Sequence, residues 1–250
     1  ILVCLTVNVA TAQDGQGTRK KFILGMSVTP SVDWWNATTV DAKAGSPKIK
    51  FGYGVMAELG FGDNYALVIG LEHRLTGASI EFNDYPHYFT EEADTFSLKE
   101  RNYKLDHVNI PLTLKLMTNQ IGYFTYFGKF GVDVSVLARA RADDKGYLGN
   151  DIDNTVESND RNIYSEVSMF EIGLNVGAGA EWNFSGSTSL LFGVSYHHGF
   201  IDILRDSDKD GVRTDQELGR WSDAPINSIT RPLEQKANPQ YVTLDVGVLF

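Results

Sequence analysis

The stretch Asp206-Ser-Asp-Lys-Asp-Gly-Val-Arg-Thr-Asp-Gln-Glu217 carries the sharpest chemical signal in the chain. Its spacing follows D-x-D-x-D-G-x5-E, the pattern of a twelve-residue calcium loop. Asp206, Asp208 and Asp210 supply hard oxygen ligands, and Gly211 permits the sharp turn. Val212 offers a backbone carbonyl, Thr214 stands at the position that often binds through water, and Glu217 can bind through both oxygens. Arg213 occupies a position that is normally hydrophobic in paired loops, and a strand rather than a helix precedes the segment. The expectation is therefore a helix-poor Ca2+ site in a surface loop. The plainer alternative is an acidic solvated loop with accidental spacing. Asp151 and Asp153 form a weaker echo and read as an ordinary polar loop.

A second set of chemically active residues recurs at alternate positions. Glu58, Glu72, Arg74, Lys115, Lys129, Asp133, Arg139, Glu171, Glu181 and Asp245 all fall on the polar parity of alternating segments. Charges on one strand face suit a polar interior in which acids and bases pair; the sharper alternative is a proton or ion path. Of the histidines at 73, 87, 107, 197 and 198, His198 shares parity with Phe192 and Tyr196 and reads as a rim residue. No G-x-S-x-G elbow and no H-E-x-x-H motif accompanies them.

What positions these residues is a two-residue hydrophobic period. Eight strands are expected at roughly 22–34, 50–62, 64–76, 103–118, 122–140, 166–182, 187–200 and 239–250. In the second, Phe51, Tyr53, Val55, Ala57, Leu59 and Phe61 oppose Gly52, Gly54, Met56, Glu58 and Gly60. In the last, Val242, Leu244, Val246, Val248 and Phe250 oppose Thr243, Asp245 and Gly247. Connections alternate between tight turns (62–64, 118–120, 183–186) and long links (35–49, 77–102, 141–165, 201–238). Alternation of this kind, with strands long enough to cross a bilayer at a tilt, is the pattern of a transmembrane barrel. The rival is a soluble barrel of lipocalin type, apolar inside; the charges on the polar face argue against a dry ligand cavity. Phe22, Trp34, Phe61, Tyr65, Tyr103, Tyr123, Trp182, Tyr196 and Phe250 sit near strand ends, as interfacial girdles require.

The block His107-Val-Asn-Ile-Pro-Leu-Thr-Leu-Lys-Leu116 resembles the E-I-P-L-L-L-K strand of the PorT-like outer-membrane β-barrel family. The run Tyr126-Phe-Gly-Lys-Phe-Gly-Val-Asp-Val-Ser-Val-Leu137 is similar to that family's next strand. Asn109 stands where the family usually carries an acid. The resemblance implies an outer-membrane location, and for some members association with a secretion apparatus.

Composition narrows the function classes. Nearly all of the net charge of −10 lies in the three links at 77–102, 141–165 and 201–238, and no basic face exists for nucleic acid. No run of 18 apolar residues is present, so a helical span is excluded. Residues 1–12 read as the remnant of a signal peptide ending in Ala10-Thr11-Ala12, with Cys4 inside it. Residues 13–21 then form a short periplasmic segment and 22–250 the barrel. The expected whole is an all-β, eight-stranded antiparallel up-and-down transmembrane β-barrel with four long outer loops, in contact with outer-membrane lipid. Its expected role is structural or interaction-based and not enzymatic, with an envelope or secretion-system protein as partner. A narrow pore or transport component, and a lipid-modifying enzyme, are the two alternatives.

Overall fold

A computed structural model describes residues 21–37, 42–82, 87–90, 95–148, 155–185, 188–204, 226–229 and 236–250. The signal-peptide and calcium-loop readings, at 1–12 and 206–217, lie outside these described residues. Eight long antiparallel strands form a closed ring: β1 (Phe22–Ala37), β3 (Lys48–Gly60), β4 (Tyr65–Thr76), β7 (Thr95–Met117), β8 (Phe124–Leu148), β10 (Phe170–Ser185), β11 (Thr188–Gly199) and β13 (Ala237–Leu249). Hydrogen-bonded neighbours run β7-β4-β3-β1-β13-β11-β10-β8, and a β7–β8 ladder closes the circle. Five short strands extend this ring at the end of the long links. They are β2 (Ala42–Ala44), β5 (Ser79–Phe82), β6 (His87–Thr90), β9 (Thr155–Asn162) and β12 (Ile226–Ile229).

Closure fixes which face points out, because a sheet edge left unpaired in lipid would strand its backbone donors and acceptors. Val55 and Val194 are each 54% exposed on the outer face, whereas Glu58 and Lys115 are each 1% exposed inside. That is the reverse of a soluble ligand-binding barrel. Aromatic rings cluster at both rims. Phe61 and Tyr65 stack at the turn end, as do Phe124 and Trp182, while Trp34, Tyr196 and His198 stack at the loop end. Tyr103 departs from the girdle expectation. It is 1% exposed and packs inside against Trp35, with ring centroids 4.8 Å apart.

Two strands are much longer than their hydrophobic pattern suggests. β7 begins at Thr95 and β8 runs to Leu148, so parts of both expected loops are strand. These extensions alternate polar with apolar residues and satisfy one another's backbone through pairs such as Asn102↔Asp143 and Lys104↔Arg141. Polar alternation looks like loop when hydrophobicity alone is read.

The ring is not uniformly bonded. Between β1 and β13 the ladder passes from Val28↔Val246 to Ser31↔Thr243, skipping Pro30. Between β4 and β7 it passes from Ile69↔Leu112 to Glu72↔Asn109, skipping Pro111. Each proline has no N–H to donate, so the neighbouring strand loses a rung there.

An apolar cap closes the loop end. Trp35, Ile80, Leu98, Tyr103, Leu105, Leu137, Ile163, Ile203 and Leu204 belong to one buried cluster. Trp35 fills its centre from β1, so Trp35→Ala leaves a cavity that β-strand walls cannot collapse. The expected loss is about 3–5 kcal/mol, read as a lower urea midpoint for the folded, heat-modifiable barrel in detergent.

Candidate functional site

The interior of the ring gathers side chains from all eight long strands because inward parity places them there. Toward the turn end, Lys115 Nζ hydrogen-bonds both Glu58 and Glu181, linking β7 to β3 and β10. The ammonium also lies 4.6 Å from the Phe127 ring centroid. Ala66, Met117, Phe127, Leu191 and Leu249 form an apolar cluster at this end, with Ile23 and Met56 packed on it.

Next come two carboxylates held by several donors each. Asp245 accepts from Lys129 Nζ at 2.7 Å, from Ser195 Oγ at 2.5 Å and from Thr243 Oγ1 at 2.9 Å. Glu72 accepts from Thr29 Oγ1 and from Asn109 Nδ2, the latter at 3.2 Å. Asn109 Oδ1 in turn accepts from Ser135 Oγ at 3.0 Å. An acid at 109, as the PorT-like motif usually has, would face Glu72 and repel it. The amide instead donates one way and accepts the other.

A third layer surrounds Tyr241. The Arg74 guanidinium carbon sits 3.4 Å from the Tyr241 centroid, and the His197 ring stacks on Tyr241 at 4.3 Å. Arg74 Nη2 reaches Asp33 Oδ1 at 3.4 Å, while His197 Nδ1 bonds Asp133 Oδ2 at 2.5 Å. A cavity of about 80 Å³ lies beside these groups, lined by polar residues such as Glu72, Arg74, Lys129 and His197 and by apolar ones such as Met56, Phe127 and Leu191. It has room for a small number of water molecules and no more. Glycine matters here at two places. A Cβ at Gly52 would meet Glu72 and Thr29, and one at Gly177 would meet Ser195 and Lys129.

The chemistry of this arrangement is that of a plug. Asp133, His197 and Thr243 line up as an acid–base–hydroxyl relay would, with His197 Nε2 at 3.4 Å from Thr243 Oγ1. The hydroxyl proton, however, goes to Asp245, as does that of Ser195. Neither hydroxyl therefore directs its proton at the imidazole, as a hydroxyl–histidine–carboxylate relay would. His198 faces outward, stacked beside Tyr196 and edge-on to Phe200, and belongs to the rim as expected.

Of the ten expected interior charges, nine face inward. Arg139 does not: it is exposed on the outer face, paired loosely with Asp106. The cause is a bulge. The β7–β8 register passes from Asp106↔Arg139 to His107↔Leu137, so Ala138 is an extra residue and reverses the parity beyond it. Sequence reading also missed Asp33, an inward acid on β1, although Ser31 and Asp33 share parity with Thr29. Within the apolar cap, between Leu98 and Tyr103 along β7, lies a further ion cluster shared with β8 and the β9 region. Arg101 binds Asp144 through Nε at 2.6 Å and Nη2 at 2.9 Å, and Glu166 through Nη1 at 2.8 Å. Arg161 adds a 2.5 Å bond to Glu166. The expected calcium ligands Asp206, Asp208, Asp210, Val212, Thr214 and Glu217 fall outside the described residues. Among the described residues no group of three or more metal-binding side chains occurs.

Lys115 is the member whose loss tests the pairing most directly. Lys115→Met leaves Glu58 and Glu181 buried beside one another without a cation, at an expected cost of about 3–5 kcal/mol. Adding Glu58→Gln and Glu181→Gln should restore most of the loss. Urea unfolding of the wild type and the two variants measures both effects.

The family model described as outer membrane protein beta-barrel domain matches residues 12–205. No curated protein matches the sequence. Among solved structures, the outer membrane protein OprG from Pseudomonas aeruginosa is 13% identical, covering 95% of this chain and 99% of its own, with a TM-score of 0.47. Neisserial surface protein A is also 13% identical, covering 92% of this chain and 96% of its own, with a TM-score of 0.41. Ail, the attachment invasion locus protein of Yersinia pestis, is 8% identical over 92% of this chain and 100% of its own, with a TM-score of 0.38.

Proposed function

The chain belongs to the outer membrane protein beta-barrel domain family, and we propose that this barrel is a sealed, non-enzymatic anchor whose working surface is its loop end. It resides in the outer membrane of a Gram-negative bacterium. The observation that carries the proposal is the filled interior. Charges bind one another across the lumen, with an apolar cluster toward each end. Eight strands leave an interior only wide enough for side chains to fill, which opposes the pore reading. The hydroxyls of Ser195 and Thr243 donate to Asp245, which Lys129 neutralises, rather than to His197, which opposes a hydroxyl–histidine–carboxylate relay.

By the usual topology of such barrels, short turns face the periplasm and long loops face outside. Extended β7 and β8, with β5 and β9 paired to them, then raise a sheet above the membrane on the outer side. That sheet and its acidic links form the surface offered to a partner. The likeness of 107–116 to PorT-like barrels supports an envelope or secretion-system protein in that place. The spacing from Asp206 to Glu217 supports Ca2+ as the ion that orders the last link.

Planar-bilayer recording tests the seal. The purified barrel should give no steady conductance steps, and porin-like steps would overturn the anchor reading. Isothermal titration tests the ion independently. Calcium should be taken up at millimolar concentration with one site per chain, and Asp206→Ala or Glu217→Ala should abolish the heat. Magnesium, which demands a tighter octahedron, should bind less well.

A further inference from the structure

The surroundings of Lys115 suit a bond-forming step as well as an ion pair. Ala66 stands opposite Lys115 in the β4–β7 ladder, and its short side chain lets the lysine cross β4 to reach Glu58 on β3. The same ammonium hydrogen-bonds Glu181 on β10 and lies 4.6 Å from the Phe127 ring centroid. Two carboxylates and a ring face thus take up its donors. Lys115 and Glu58 are each 1% exposed, and Glu181 is 5% exposed. Ala66, Met117, Phe127, Leu191 and Leu249 pack as one apolar cluster at this level, which keeps bulk water away. An amine and a carboxyl held in contact in such a place have a high effective concentration for one another. The carboxyl carbon lies one bond beyond the oxygen that the ammonium already touches.

We propose that Lys115 and Glu58 condense after folding into an intramolecular amide that joins β7 to β3, with Glu181 as the proton carrier. Glu181 takes one proton from the ammonium and frees the nitrogen lone pair. That lone pair attacks Glu58 Cδ and forms the C–N bond. Glu181 then hands its proton to one Glu58 oxygen and carries a second proton from nitrogen to the same oxygen. The C–O bond breaks and water departs. Ammonium and carboxylate have become amide and water, so atoms and charge balance without an oxidant, activator or cofactor. Glu58 is the electrophile because it lines, with Lys115, the cavity of about 80 Å³ that can receive the water. Glu181 keeps its charge and accepts a hydrogen bond from the new amide N–H. The product removes one buried ion pair, whose desolvation cost a neutral amide does not carry. The Lys115 ion pairs are the precursor of this bond. It forms whether or not the lumen conducts and whatever the outer sheet contacts.

Intact-mass spectrometry of the full chain tests the bond. Protein purified in denaturant and the same protein folded into detergent differ only in fold. The folded form should become lighter by one water in most molecules. Tryptic digestion of the folded form should leave Lys115 uncut and yield 51–74 joined to 105–129. Lys115→Arg should keep the full mass, because its guanidinium stays charged and offers no free lone pair. Glu181→Gln can still accept from Lys115 but cannot carry a proton, and should slow the mass loss by about 100-fold or more. The comparison of denatured and folded wild type keeps the test valid if a variant does not fold. Full mass retained by the folded wild type, water loss in Lys115→Arg, or an undiminished rate in Glu181→Gln would each overturn the proposal. So would a branch at Glu181, seen as 162–205 joined to 105–129.

Discussion

Closure of the strand ring by the β7–β8 ladder is the constraint from which the other features follow. A barrel wall in lipid has to satisfy every backbone donor and acceptor within itself, so the ring admits no edge. Once it is closed, one parity of each strand faces hydrocarbon and the other faces a narrow interior. Charged residues on the inner parity are then out of water and have to find partners in each other. Lys115 between two glutamates and Asp245 with its three donors are products of that confinement. Buried pairs of this kind need not add net stability, but breaking one leaves an uncompensated charge.

The same confinement explains why acid, histidine and hydroxyl side chains stand together in the lumen. Short inward residues such as Ser195 and Thr243 stand beside Asp245 because alternation and register put them there. Satisfying the carboxylate is a stronger demand than leaving a hydroxyl free to react. Beyond the lumen, the β7–β8 extensions are tied to the β9 region by the Arg101–Asp144–Glu166 cluster.

Much of this was legible in the sequence. Alternation located all eight long strands and assigned the inner and outer faces of β3, β10 and β13 correctly, because the lipid-facing parity is almost uninterrupted. Three things were not legible. The bulge at Ala138 has no hydrophobic signature, so Arg139 looked like an interior charge. The loop-end halves of β7 and β8 carry polar residues on the outer parity, because water rather than lipid surrounds them there. Partnerships such as His197 with Asp133 join residues far apart in the chain, and only the register of the intervening strands brings them together. Tyr103 was misplaced for a related reason: an aromatic near a strand end can serve a rim or a cap equally well, and only its facing distinguishes them.

The two proline gaps divide the wall in a way that strand order alone conceals. One lies between β1 and β13, the other between β4 and β7. Cutting the ring at both leaves two panels, β1-β3-β4 and β7-β8-β10-β11-β13. Each panel is contiguous in the chain, spanning 22–76 and 95–249. Within a panel the ladder is dense; across the two seams it is thinned. The lumen bonds cross those same seams. Lys115 to Glu58, Asn109 to Glu72 and Arg74 against Tyr241 all tie one panel to the other. The barrel is thus held as a cylinder by two kinds of fastening, with side chains reaching through the middle where the backbone stitches are fewest.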